Sequence, residues 1–150
     1  MLPKDLFSHW EGVRKDLVST IEAFEESELE YVPFEGCRKV GDIMLHVADA
    51  EDGWLRFCVT KELEAWPDFY NLTNYPDKQS IIHVLTEVHS RTSDYLSSLG
   101  ESGLEGSITA PWGDDFALLW VFWHIIEHEI HHRGELSIIL GLLGREGIIS

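Results

Sequence analysis

The chain has 150 residues, 44% of them apolar, with six Trp and seven Phe, and its 27 acidic against 11 basic residues give a formal charge of −16. Such a composition excludes a disordered chain and predicts a single globular domain over 1–150 with a proper core. The charge argues against nucleic acid, since no Lys/Arg cluster could neutralise phosphates, and against anionic membranes.

The longest apolar run, Phe116 to Trp123, is far short of the ~20 residues a membrane span requires. Cys37 and Cys58 make no disulfide framework and no secretion leader is evident, so a reduced, cytoplasmic protein is expected.

Leu6, Trp10, Val13, Leu17, Ile21 and Phe24 recur at spacings of three and four, which predicts a long amphipathic helix from about Pro3 to Glu26. Lys4, Glu11, Arg14, Lys15 and Glu22 lie between them and read as a solvated face. Pro33 and Gly36 interrupt the pattern, and a second helix is predicted from about Val40 to Thr60 through Ile43, Met44, Val47, Trp54, Leu55 and Cys58.

His46 lies at the edge of the second helix's apolar arc, in a column with Ala50, Gly53 and Phe57 whose small residues leave room beside an imidazole. Glu51 falls inside the arc, where a carboxylate needs a partner: either a ligating histidine or a link to Arg56 or Lys39.

Residues 61–77 read as a long aromatic loop that either walls a pocket or covers the end of the bundle. A third helix is predicted to start at an Asp77 cap and run to about Leu99. Gly100, Gly103 and Gly106 mark a connection, with a short extended piece at Ser107 onward, and Asp114 or Asp115 is the expected cap of a last helix over roughly 116–143. That helix is apolar on more than one side, with Leu119, Phe122, Trp123, Ile126 and Ile130 away from its histidines, and a second apolar face predicts a homodimer.

The chemistry concentrates in His124-Ile-Ile-Glu-His-Glu-Ile-His-His-Arg-Gly-Glu135. At about 100° per residue, His124, His128, His131, His132 and Glu135 project into one arc, although His131 turns well away from His128. His128 and His132 are one turn apart and can converge on one cation at ~2.0–2.1 Å. Single histidines in helices are commonly hydrogen-bonded core groups, but four on one face are costly to bury without partners.

His128-Glu-Ile-His-His132 also fits H-E-x-x-H, in which the Glu is a metalloprotease base. Glu135 and Ile138 stand where the extended protease pattern has Gly and His, so a protease is disfavoured. A carboxylate-bridged di-iron site needs two Glu-x-x-His units, and Glu129 with His132 supplies one.

Leu45-His-Val-Ala-Asp-Ala-Glu51, the His124–Leu136 stretch and Ala110-Pro-Trp-Gly113 together resemble the DinB family, also described as DinB/YfiT-like metalloenzymes, over nearly the whole chain. The resemblance implies an all-α four-helix bundle with a long crossover connection and a three-histidine site for a divalent metal at His46, His128 and His132. Family members of known activity are thiol-dependent, which implies zinc or nickel, a low-molecular-weight thiol cosubstrate and S-transfer to a small-molecule electrophile.

Three neutral histidines leave an open coordination position, as in catalytic sites, and such a site suits thiol transfer or hydrolysis alike. Glu51, His124, His131 and Glu135 are then candidates to orient ligands or move protons, while Arg133 is expected to pair with a neighbouring acid. The alternatives are a metal-dependent hydrolase of the same family and a non-catalytic, stress-related bundle that binds a metal or ligand.

Overall fold

The computed structural model of the protein describes residues 1–146. Its helices are α1 (Pro3–Leu6), α2 (Trp10–Glu22), α3 (Val40–Asp52), α4 (Lys78–Ser98) and α5 (Leu118–Leu142). α3 continues as a π-helical segment, Gly53–Val59, whose wider i→i+5 ladder includes Thr60 N–H to the Leu55 carbonyl at 2.8 Å. The first predicted helix is therefore two pieces, separated by a turn at 7–9, and it ends four residues early.

α3 packs on α4 and α5, and α2 packs on α5 and α4. The ring of neighbours thus runs α2, α5, α3, α4, so the 23–39 connection crosses the bundle instead of joining adjacent helices. This is an all-α four-helix bundle with a long crossover. A 3-10 turn, Glu26–Glu30, lies in that crossover and buries Leu29.

Asp77 caps α4 as the sequence indicates, accepting from the Ser80 N–H at 2.7 Å. α5 differs, because its N-cap is Ala117 and has no side-chain cap. Asp115 instead belongs to a hairpin of β1 (Ser107–Thr109) and β2 (Asp115–Ala117), paired antiparallel with Ile108 opposite Phe116, and it accepts from the Thr109 hydroxyl. Gly113 closes the turn at φ +102°, a conformation that side chains rarely tolerate.

The apolar core is divided in two. One cluster holds Leu17, Ile21, Val47, Leu85, Leu136 and Leu140; the other holds Trp10, Val13, Trp54, Leu55, Leu96, Phe122 and Ile126. Between them each bundle helix contributes a buried polar side chain: Arg14 from α2, Glu51 from α3, His89 and Thr92 from α4, Glu129 from α5.

Arg14 is the hub of this layer. It donates to Glu129 from Nε (2.8 Å), to the Leu85 carbonyl (2.6 Å) and to Glu51. Glu129 also accepts from Trp10 Nε1 (2.8 Å), and Glu51 faces His89 Nδ1 (2.9 Å), whose Nε2 lies 3.2 Å from Glu11. Arg14 is thus not on a solvated face. It stands four residues after Trp10 and three before Leu17, inside the apolar stripe.

Burial alone would raise the Glu51 carboxyl, but Arg14 and His89 outweigh it and hold it down at about 2. Burial works against the charge on His89 too, and Glu51 more than offsets it, so that imidazole is shifted upward.

Replacing Arg14 with Met leaves two buried carboxylates without their cation and should cost about 3–5 kcal/mol, measured as the urea-unfolding free energy. The pH dependence follows from the depressed Glu51 carboxyl. Its contribution is complete above the ordinary value of 4.5 and is lost as pH falls through that value towards about 2. Urea midpoints of Glu51→Gln should be lower than wild type at neutral pH and fall less steeply across that window.

Candidate metal centre

His46 comes from α3, His128 and His132 from successive turns of α5, and the α3–α5 packing brings them together. His128 Nε2 lies 3.1 Å from His46 Nε2 and 3.1 Å from His132 Nε2. The three form a potential cation-binding group with all ligand atoms within 4.8 Å. Ligands at 2.0–2.1 Å around a tetrahedral ion stand about 3.3 Å apart, so these separations suit one small cation.

The opposite ring nitrogens fix the tautomers. His46 Nδ1 donates to Asp49 Oδ2 at 2.8 Å, and His132 Nδ1 donates to Glu135 Oε2 at 2.9 Å. A carboxylate only accepts, so each Nδ1 carries the proton and each Nε2 presents a lone pair to the shared centre. Two lone pairs turned on the His128 Nε2 are satisfied either by a proton on that nitrogen or by a cation held among the three rings. Trp66 Nε1 in turn donates to Asp49 Oδ1 at 3.3 Å.

Burial, then the neighbouring His132 and His46, push the His128 imidazole down to about 3. Burial also lowers His132, against the opposing pull of Glu135. Both shifts favour the neutral, ligating form.

The remaining sequence candidates separate by position. Glu135 touches His132. His124 stacks on Trp120 with ring centroids 4.6 Å apart, faces Glu127 at 3.0 Å and lies 6.5 Å from His128. His131 is exposed, with its ring centroid 4.8 Å from that of His132, and His131, His132 and Glu135 form a second potential ligand group.

Glu51 does not join them. It is bonded to Arg14 and His89, not to a site histidine, Arg56 or Lys39. Arg56 bonds Asp52, and Lys39 pairs with Glu30. Arg133 does find an acid, Asp16 of α2, at 3.2 Å.

The room beside His46 that Gly53 suggests is filled. A Cβ on Gly53 would come within 2.5 Å of the Trp66 ring, so the glycine admits that indole rather than a ligand. The 61–77 loop thereby walls the site. The Glu of the H-E-x-x-H match, Glu129, is rotated about 100° from His128 and points into the core at Arg14, unable to serve as a base there.

Sequence reasoning missed Asp49, although it stands one turn after His46 at i+3, the spacing that places a carboxylate beside an imidazole. Trp66, 17 residues from Asp49, gives no such local signal.

A four-helix bundle carrying a three-histidine cluster between its second and fourth long helices is the class of protein that fold and site define. The chain belongs to the DinB superfamily, whose family model matches residues 9–136. It is similar in structure to a DinB-like protein from Bacillus cereus ATCC 10987 (TM-score 0.76, 16% identity, covering 96% of this chain and 94% of that one). A DinB family protein from Exiguobacterium sibiricum gives 0.75 at 18% identity, covering 100% and 97%. YfiT from Bacillus subtilis, described as a probable metal-dependent hydrolase with an unusual four-helix bundle topology, gives 0.66 at 22% identity, covering 92% and 87%. No curated protein matches by sequence.

The low position of His128 makes a direct expectation. In chelator-treated protein, 15N NMR of the imidazoles should show His128 still neutral at pH 5, where an ordinary histidine, near 6.5, is mostly protonated.

Proposed function

We propose that this chain is a metal-dependent enzyme acting on a small molecule, with a divalent cation, zinc or nickel, held by His46, His128 and His132. One observation carries the reading: three Nε2 atoms meet at one centre, and carboxylates hold the Nδ1 protons of two of the rings so that those two present lone pairs to it. When bound, the cation supplies Lewis-acid activation of a thiol or a water.

The chain's own groups do the rest. Asp49 and Glu135 keep His46 and His132 in the ligating tautomer and raise their donor strength. We assign to His124 and His131, which line the depression beside His128 together with Glu127, the taking and return of a proton during turnover. Trp66 covers Asp49 and keeps water from that side.

Transfer of a low-molecular-weight thiol to an electrophile is the reaction we favour. Cys58 is a poor substitute for an external thiol, because it is buried and its thiol is pushed up to about 11 by that burial. Hydrolysis is the second reading, supported by the description of YfiT. We further propose a homodimer through the exposed Leu119 and Trp123 of α5, with Leu6 nearby in sequence to the Phe7 that packs on Trp123.

Metal analysis of purified protein should find about one divalent ion per chain, lost in His128→Ala. Asp49→Ala and Glu135→Ala should bind it roughly 10–100-fold more weakly. A screen of thiols with electrophiles should show chelator-sensitive consumption of both partners. Turnover without thiol consumption would favour hydrolysis, and absence of metal even after reloading would remove both readings.

A further inference from the structure

Beside His128 lies a depression of about 390 Å3 lined by His124, Glu127, His128 and His131. Along α5 from it runs a wider groove of about 700 Å3, walled by Phe34, His131, Gly134, Glu135, Ile138 and Leu142 among others. His131 belongs to both, and Glu135, which holds His132, forms part of the groove wall. The two depressions are therefore neighbours on α5, sharing the His131 side chain.

The groove's polarity is graded. Among the described residues the titratable groups of the groove are His131 and Glu135, nearest the histidines, whereas Ile138 (69% exposed) and Leu142 (64%) line it with carbon further along α5 and Phe34 (67%) adds an exposed ring to its wall. Gly134 keeps it open, since an added Cβ would meet nothing within 4 Å. From His131 to Ile138 the helix advances about 10 Å, at 1.5 Å per residue.

We propose that this groove seats the apolar tail of the substrate, so that the enzyme acts on small amphiphiles, with a medium-length aliphatic chain or aryl group trailing from a neutral or cationic reacting end. This rests on reading the three histidines as the reacting centre. The volume lies in the range of small-molecule sites, about 300–1,000 Å3. A second copy of the chain would need 20–30 residues a side, and nine line the groove. Glu127 and Glu135 disfavour an anionic head.

Straight-chain alkyl hydroxamates from acetyl to decanoyl carry a chelating head on a growing tail, and their binding to zinc-loaded protein can be read by calorimetry. Each buried methylene should tighten binding roughly fourfold, the equivalent of about 0.8 kcal/mol. Gly134→Leu, which adds a good helix former in open space, should keep the wild-type thermal midpoint and the acetyl affinity while losing the dependence on chain length.

Equal affinity across the series in wild type would overturn the groove and leave the histidine site standing. If no hydroxamate binds the zinc-loaded protein, the reading of the three histidines as an open, reacting centre fails by itself. The groove is then judged in metal-free protein: N-phenyl-1-naphthylamine fluorescence, displaced by decanol in wild type and absent in Gly134→Leu, supports it, and no uptake by wild type overturns it. A wild-type dimer that Gly134→Leu converts to monomer in sedimentation would make the groove an interface between copies and overturn the proposal.

Discussion

A guanidinium shut between two carboxylates holds this bundle in register. Arg14, Glu51 and Glu129 come from three helices, His89 and the Leu85 carbonyl from the fourth, and all converge at the level where the apolar core is interrupted. Taking such charges out of water is expensive, and a well-packed apolar replacement of the whole set is often more stable. Directionality is what the ions add. Leucines tolerate small slides of one helix past another, whereas a fork of N–H groups aimed at two carboxylates does not.

The rotation of α5 follows from that constraint. With Glu129 turned inward to Arg14 and Trp10, the preceding residue, about 100° away, must face the groove between α3 and α5, and the histidine a turn later lies beside it. One ion pair in the core thereby aims the His128 and His132 rings at His46. The acid between the histidines is structural, and the carboxylates that touch the site are Asp49 and Glu135.

Periodicity made the four long helices readable, and the Asp77 cap and the His46, His128, His132 grouping were readable from local spacing and family resemblance. What escaped was set by tertiary contact. Arg14 looked like one charge among several on α2 until its partners on three other helices were placed. Glu51 was seen to need a partner, but the partner lay 37 residues away on α2 and not on its own helix. The capping role expected of Asp114 or Asp115 went to no side chain, because a two-stranded hairpin takes up Asp115 and α5 begins directly from its second strand. Gly53 was legible as a gap, but the ring that fills it comes from a loop with no periodicity to follow.

The Trp66–Asp49–His46 chain ties a surface loop to one of the three clustered imidazoles. Because coupling between two equilibria is reciprocal, whatever the loop's seating adds to the grip of that imidazole on a cation, the cation must add to the seating of the loop. On the proposed metal reading, segment 61–77 would act as a gauge of occupancy built into the protein's outer wall.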